Sequence, residues 1–256
     1  MGFIRRKEGT VMFQFFVKSD QVGKEYVTIT GSDAHHIRNV IRLRVGEQIR
    51  ISMENGESFL CAVSEIGEEF VQADILSEAV STELPSEVVL YQALPKGDRM
   101  ETVIEKAVEL GVSRVVPVVM KYCVVKLDQK KTEGKIKRWQ GIAESAAKQS
   151  KRSKVPVIGP VLSFQEALSD AGKCDRILLP YENENGMKGT AEVMGSIRPG
   201  QRIAVFIGPE GGFSPEELKM SEGIAERLSL GRRILRTDTA AITTLSLLMI
   251  LLELGS

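Results

Sequence analysis

The spacing of apolar positions changes part-way along the chain. Over residues 12–80 they fall in short runs, at Phe13–Val17, 25–29, Gln48–Met53, 59–63 and 70–76, several of them alternating with polar residues. A period of two places alternate side chains on one face of a strand, so these runs predict strands. Asn55-Gly56 lies between two of them and is a strong short-range hairpin signal. Residues 33–41 interrupt the pattern with helical spacing, capped by Ser32 or Asp33. Short strands separated by turn signals predict a small barrel or sandwich.

Residues 81–87, charged and small with Pro85 among them, read as a linker. Beyond it the pattern alternates between strand and helix. Residues 88–93 and 112–119 are apolar strand-like runs, and 98–110 has helical spacing between a cap at Asp98 and a stop at Gly111. Residues 132–150 predict a long helix. Ser163-Phe164-Gln165-Glu166 is a capping box that opens another. Short buried strands are expected at 177–180 and 203–207. Ser214-Pro215-Glu216-Glu217 is a second capping box with proline at the first helical position. Residues 239–254 predict a strongly apolar final helix. Alternating strands and helices argue a mostly parallel α/β sheet. The expected organisation is two domains, 12–80 and 86–256.

Composition narrows this without naming a chemistry. The chain has 256 residues, 43% hydrophobic and 27% charged, with zero net charge, which is ordinary for a globular protein. The charge is unevenly placed, with eleven Lys or Arg against three Asp or Glu between residues 121 and 154. Such a stretch can attract RNA, although a solvated helix face reads the same way. Cys61, Cys123 and Cys174 are dispersed, which gives neither a disulfide framework nor zinc-ligand spacing and fits a reducing compartment. Residues 1–7 lack the apolar core of a signal peptide. The apolar stretch 245–252 is shorter than the roughly 20 residues a bilayer requires. A cytoplasmic protein with no membrane association and no metal is expected.

The chemistry concentrates in Ile207-Gly208-Pro209-Glu210-Gly211-Gly212, where an apolar strand meets a capped helix. In open α/β sheets ligands bind beyond the carboxyl ends of strands, and glycines let backbone approach a ligand closely. Phe213 and Ser214 stand where a phosphate-binding loop needs Lys and Ser or Thr, and the glycine spacing does not match the dinucleotide fingerprint. A nucleotide-like ligand remains, beside the plainer reading of a tight turn. Two more loops sit at similar places: Leu179-Pro180-Tyr181-Glu182, and residues 230–239 before the last helix. Glu182 and Glu210 offer negative charge to a cation.

Five segments in order resemble one family. They are His35-His36-Ile37-Arg38-Asn39-Val40-Ile41-Arg42-Leu43, Leu94-Pro95-Lys96-Gly97-Asp98-Arg99-Met100, Glu105-Lys106-Ala107-Val108-Glu109-Leu110-Gly111, residues 207–212 and residues 230–240. Together they are similar to the bacterial 16S ribosomal RNA uridine-N3 methyltransferases of the SPOUT class, from about Met12 to the C-terminus. The resemblance implies an N-terminal PUA-like β-barrel, a C-terminal α/β domain with a deep trefoil knot, a homodimer, and S-adenosylmethionine held in the knot. Knots are almost absent from proteins, and nothing in the periodicity points to one. Carried over by motif, the cofactor residues are Leu179, Pro180, Tyr181, Glu182, Ile207, Gly208, Pro209, Glu210, Gly211, Gly212, Leu230, Gly231, Ile234, Leu235, Arg236 and Thr237.

Methylation at N3 of uracil requires in-line placement, loss of the N3 proton and stabilisation of charge on the base carbonyls. Arg236 is the first choice for stabilisation, since its planar fork can grip an O–N edge. An ion pair with Asp238 is the alternative for that side chain. Glu210 and Asp238 are the candidate bases. Where Asp238 stands, the family usually has glutamate. The small ribosomal subunit and its 16S RNA are the expected partners. The residues expected to grip RNA are His35, Arg38, Arg42, Arg44, Lys96, Arg99, Lys148 and Arg152; an α-helix would place Arg38 and Arg42 on one face. His36 is expected to be a cap or a core polar group. Gln14 stands where family members often carry arginine.

Overall fold

A computed structural model describes residues 12–125, 129–184 and 186–255. The chain divides between Thr82 and Glu83 into two compact units.

The first unit is a five-stranded sheet of β1 (Phe13–Val17), β2 (Tyr26–Thr30), β3 (Gln48–Met53), β4 (Ser58–Ile66) and β5 (Phe70–Glu78), ordered β1-β3-β4-β5-β2. β1 runs parallel to β3 and the other pairs are antiparallel. Alternation buries Phe15, Val17, Val27, Ile29, Ile49, Ile51, Val63 and Val71 in one core. The hairpin expected at Asn55-Gly56 forms between β3 and β4, around a three-residue loop. Met53 N–H donates to Glu57 O at 2.8 Å, and Gly56 sits at φ +94°. Only the last loop position is left-handed, the pattern of a turn followed by a bulge. The helix expected over 33–41 begins as α1 (Gly31–His35) and widens into a π-helical turn, His36–Ile41. Arg42 ends it at φ 58°, ψ 47°. Arg42 therefore lies past the helix end and does not share a helical face with Arg38.

The second unit is an all-parallel sheet between helices. Its elements are β6 (Glu87–Ala93), α2 (Arg99–Glu109), β7 (Arg114–Val119), α3 (Gln129–Ser150), β8 (Val157–Ile158), β9 (Leu162–Ser163), α4 (Phe164–Ala171), β10 (Arg176–Pro180), α5 (Lys188–Ser196), β11 (Arg202–Ile207), α6 (Pro215–Met220), β12 (Glu226–Leu228) and α7 (Thr237–Leu254). The order is β12-β10-β11-β6-β7-β8, with β9 also beside β7. Strands covered on both faces read as near-continuous apolar runs, as β6 and β11 do. Tyr91 stacks on Phe206 with ring centroids 4.5 Å apart, and Phe164 meets Phe206 edge-on. The Tyr91 hydroxyl donates to Asp170, which also takes Arg114, each at 2.8 Å. Helix α5, broken by two glycines, and the three-residue β12 carry too little pattern to be read from sequence.

Because every strand is parallel, the loops after β6, β7, β10, β11 and β12 leave the same edge. From β12 the chain returns through residues 229–236 to α7, which packs on α2 and β11.

Candidate functional site

The loops after β10, β11 and β12 enclose one cleft of about 390 Å³, within the range of small-molecule sites. Pro180, Tyr181, Glu182, Ile207, Gly208, Pro209, Glu210, Gly211, Gly212, Leu230, Gly231, Ile234, Leu235, Arg236 and Thr237 all line it, joined by Phe213, Arg233 and Ala240. Leu179 does not. It is fully buried in β10, because the strand's alternation turns it into the core beneath.

The glycines hold the loop against its supports. A Cβ on Gly208 would meet the Phe213 ring at 3.0 Å, and one on Gly211 would meet Tyr122 Cβ at 2.8 Å. Gly212 lies at φ +72°, in the left-handed region that favours glycine, with Glu182 Oε1 against it. Its N–H donates to Pro209 O at 2.9 Å, which closes the turn. Glu217 anchors this arrangement from below. Buried to 4% exposure, it accepts from Ser214 N and Lys121 N, both at 2.8 Å. The capping box of α6 thereby positions Lys121 and the adjoining Tyr122.

Two further ties join the loops. Glu210 Oε1 accepts from Arg99 at 2.8 Å and from Lys96 N at 3.1 Å, which links the glycine loop to the start of α2. Gln92, fully buried in β6, donates to Thr237 Oγ1 at 2.9 Å, and Thr237 donates to Gly208 O at 2.7 Å. Arg236 is exposed at the rim and makes no ion pair with Asp238 among the described residues. Asp238 is not part of the cleft lining, and its Oδ1 is buried with no hydrogen-bond partner among the described residues. Tyr181 accepts from Asn183 at 3.0 Å, with Arg227 6.0 Å over its ring. Burial pushes the Cys123 thiol up from its ordinary range, against a thiolate role. Among the described residues no group of three His, Cys, Asp or Glu could hold a metal.

The basic residues divide by unit. In the first, His35, Arg38, Arg42 and Arg44 are exposed. So is the side chain of His36, which is not in the core but takes the C-cap position of α1, its N–H donating to Asp33 O and Ser32 O. Arg38 donates to the carbonyls of Gly67 and Glu68 and braces the β4–β5 turn. Gln14 is buried and donates to Ser52 Oγ at 3.3 Å. In the second unit Lys96 is exposed, Arg99 is paired with Glu210, and Lys148 pairs with Glu144 one turn away. Arg152 corrects the expected basic surface. It is 3% exposed, ion-paired with Glu83, and donates to the carbonyls of Val108 at 2.7 Å and Val112 at 3.0 Å. Carbonyls at a helix C-terminus lack intrahelical partners, and here a charged side chain supplies them.

Sequence reasoning missed Gln92, Tyr122 and Phe213, whereas Arg233 and Ala240 belong to the 230–240 segment already singled out. Only Gln92 left a signal, as an amide inside an apolar run.

Comparison with known proteins agrees with this architecture. Residues 82–249 match the family described as an RNA methyltransferase domain, and residues 29–76 match an RNA methyltransferase PUA domain. The ribosomal RNA small subunit methyltransferase E of Bacillus subtilis strain 168 is 35% identical, over 86% of this chain and 88% of its own. That of a Synechocystis strain is 32% identical, over 94% of this chain and 78% of its own. The crystal structure of the Neisseria gonorrhoeae protein of that name, bound to S-adenosyl methionine, superposes with a TM-score of 0.80 at 29% identity, covering 94% of this chain and 98% of that one. A PUA-type β unit, a parallel α/β unit with its cleft at the strand ends, and this kinship together make the chain a member of the ribosomal RNA small subunit methyltransferase E family.

Proposed function

We propose that the protein transfers the methyl group of S-adenosylmethionine to N3 of a specific uridine in the decoding region of 16S ribosomal RNA, acting in the cytoplasm as a homodimer. The observation that carries this reading is the convergence of three strand-end loops on one cleft, with Arg236 at its rim in no ion pair among the described residues.

The cleft suits the cofactor. Ile207, Leu230, Leu235 and Ala240 offer apolar walls, Glu182 offers a carboxylate to a cation, and Gly208, Gly211 and Gly212 line the cleft. Bound there, the sulfonium supplies a methyl group activated for direct transfer. This chain's residues hold the acceptor in line and stabilise the charge that grows on the uracil carbonyls as N3 gives up its proton to water at the open cleft and takes the methyl group, with S-adenosylhomocysteine leaving. Arg236 takes the second role, since it lines the cleft and its fork is not spent on a carboxylate. Glu210 acts as a clamp between loops rather than as a base, since its Oε1 already accepts from Arg99 and Lys96.

N3 is hidden in the Watson–Crick edge of paired RNA, so the target must be single-stranded or extruded. His35, Arg38, Arg42 and Arg44 provide a basic surface on the β unit for phosphate contacts, with Lys96 on the other unit. The homodimer is supported by α7. Its mean hydropathy is 1.5, yet only 33% of it is buried, and Ile250 and Leu254 are 49% and 80% exposed. An apolar helix face left open on a folded chain marks an interaction surface.

The test is transfer of labelled methyl to small subunits from a strain lacking the modification, followed by nucleoside mass spectrometry. N3-methyluridine in 16S RNA is the expected product. Absence of transfer overturns the reading, and a product on transfer RNA or on a ribose hydroxyl changes the substrate.

A further inference from the structure

Gln92 sits where an apolar residue would serve the fold better. It occupies the middle of the sheet on β6, beside Ile207 of β11 and Pro117 of β7, with no exposed surface. Its Nε2 donates to the carbonyl of Ala93 at 3.0 Å and to Thr237 Oγ1 at 2.9 Å. Its Oε1 is buried without a partner among the described residues. A half-satisfied buried amide costs stability relative to a hydrocarbon of the same size. Residues that break a local rule in this way are expected at functional sites.

The directions of these bonds are determined by chemistry. Ala93 O and Gly208 O can only accept. The single proton of the Thr237 hydroxyl must therefore go to Gly208 O, 2.7 Å away, and Gln92 must donate to that hydroxyl. The result is a one-way chain from the amide of β6, through the first residue of α7, to the first glycine of the loop after β11. Arg236 is the residue just before Thr237 and takes the N-cap position of α7. The same three groups thus set the spacing between the glycine loop and the arginine at the cleft rim.

We propose that Gln92 is a positioning residue for methyl transfer: it orients the Thr237 hydroxyl and, through it, holds the Gly208 loop and Arg236 in register. This rests on the reading of the cleft as the cofactor site. Gln92 touches neither cofactor nor RNA; it acts through Thr237. A displacement near 1 Å in a reacting geometry can cost on the order of 100-fold in rate.

The experiment compares wild type with Gln92→Met, Thr237→Val, the double variant and Thr237→Ser. The readouts are single-turnover methyl transfer, calorimetric affinity for S-adenosylhomocysteine, RNA affinity and the thermal midpoint. Gln92→Met should slow the chemical step by about 10- to 100-fold, leave RNA affinity within twofold, and unfold no earlier than wild type. Thr237→Val should lose a similar factor, the double variant no more than either single, and Thr237→Ser should recover most of the rate. Gln92→Leu is a second apolar variant should the methionine chain not fold. Wild-type binding of S-adenosylhomocysteine with a Gln92→Met rate within twofold of wild type overturns the inference. So do losses that multiply in the double variant, since independent groups add in free energy. Wild-type protein that binds no S-adenosylhomocysteine overturns the cleft reading, and this inference falls with it.

Discussion

Gly211→Ala tests what the glycine loop is for. The added Cβ would stand 2.8 Å from Tyr122 Cβ, closer than carbon atoms approach without something moving. Tyr122 cannot swing away, because the contact is at its Cβ, and the preceding Lys121 is held by Glu217 at 2.8 Å. Overpacking of this kind costs about 1–3 kcal/mol. If the loop yields, the cleft is distorted and the cost appears in binding: about 2 kcal/mol is roughly a 30-fold rise in Kd for S-adenosylhomocysteine. If the fold yields, the same cost appears as a lower midpoint, about 4–8 °C for a unit of this size. Calorimetric titration and thermal unfolding of one preparation read both, and the expected result is a combined loss near 2 kcal/mol, mostly in binding. The variant Tyr122→Gly with Gly211→Ala should regain affinity. Unchanged affinity and midpoint in Gly211→Ala would refute the reasoning, because the loop would then have room that the geometry denies it.

Arg236→Ala should lower methyl transfer by at least tenfold while changing cofactor affinity less than threefold; equal losses in both would move the arginine from charge stabilisation to binding. Arg152→Ala leaves Glu83 and two carbonyls short of a partner, so it should cost about 3–5 kcal/mol in denaturant unfolding. Its RNA affinity under folding conditions should match wild type, and a selective loss of RNA binding would restore Arg152 to the basic surface. Burial, with Asp74 adding to it, pushes the Cys61 thiol from its ordinary value of 9.0 up to about 12. Folding thus favours the protonated thiol. Its contribution is intact below pH 9 and is lost as pH rises from there toward 12. Urea unfolding of Cys61→Val should accordingly show a flatter decline between pH 9 and 11 than wild type, and parallel declines would contradict the assignment.

Element type was legible wherever one local rule dominated. The capping boxes at Ser163 and Ser214 form as spaced, each with serine accepting from the glutamate N–H three residues on. The buried strands β6 and β11 announced themselves as apolar runs, interrupted in β6 by Gln92. The rules failed where a neighbour far along the chain decided the outcome. Arg152 reads as one more positive charge in a basic stretch, yet it closes the end of α2. Arg38 and Arg42 have helical spacing, but the turn between them widens and ends left-handed. His36 reads as a structural polar group and does cap α1, but through its backbone N–H, with its side chain exposed.

The sequence by itself determined the β-then-α/β order of the chain, the positions of most strands and helices, and the three loops that form the cleft. These follow from periodicity, caps and glycine chemistry, which act over a few residues. Only the tertiary structure decided that those loops face one another, that Tyr122 backs Gly211, that Glu210 is spent on Arg99, and that Gln92 reaches Thr237 across 145 positions of sequence. The reason is physical. Such contacts depend on strand order, and β6 lies between β11 and β7 only because the sheet assembles in an order that the chain does not spell out.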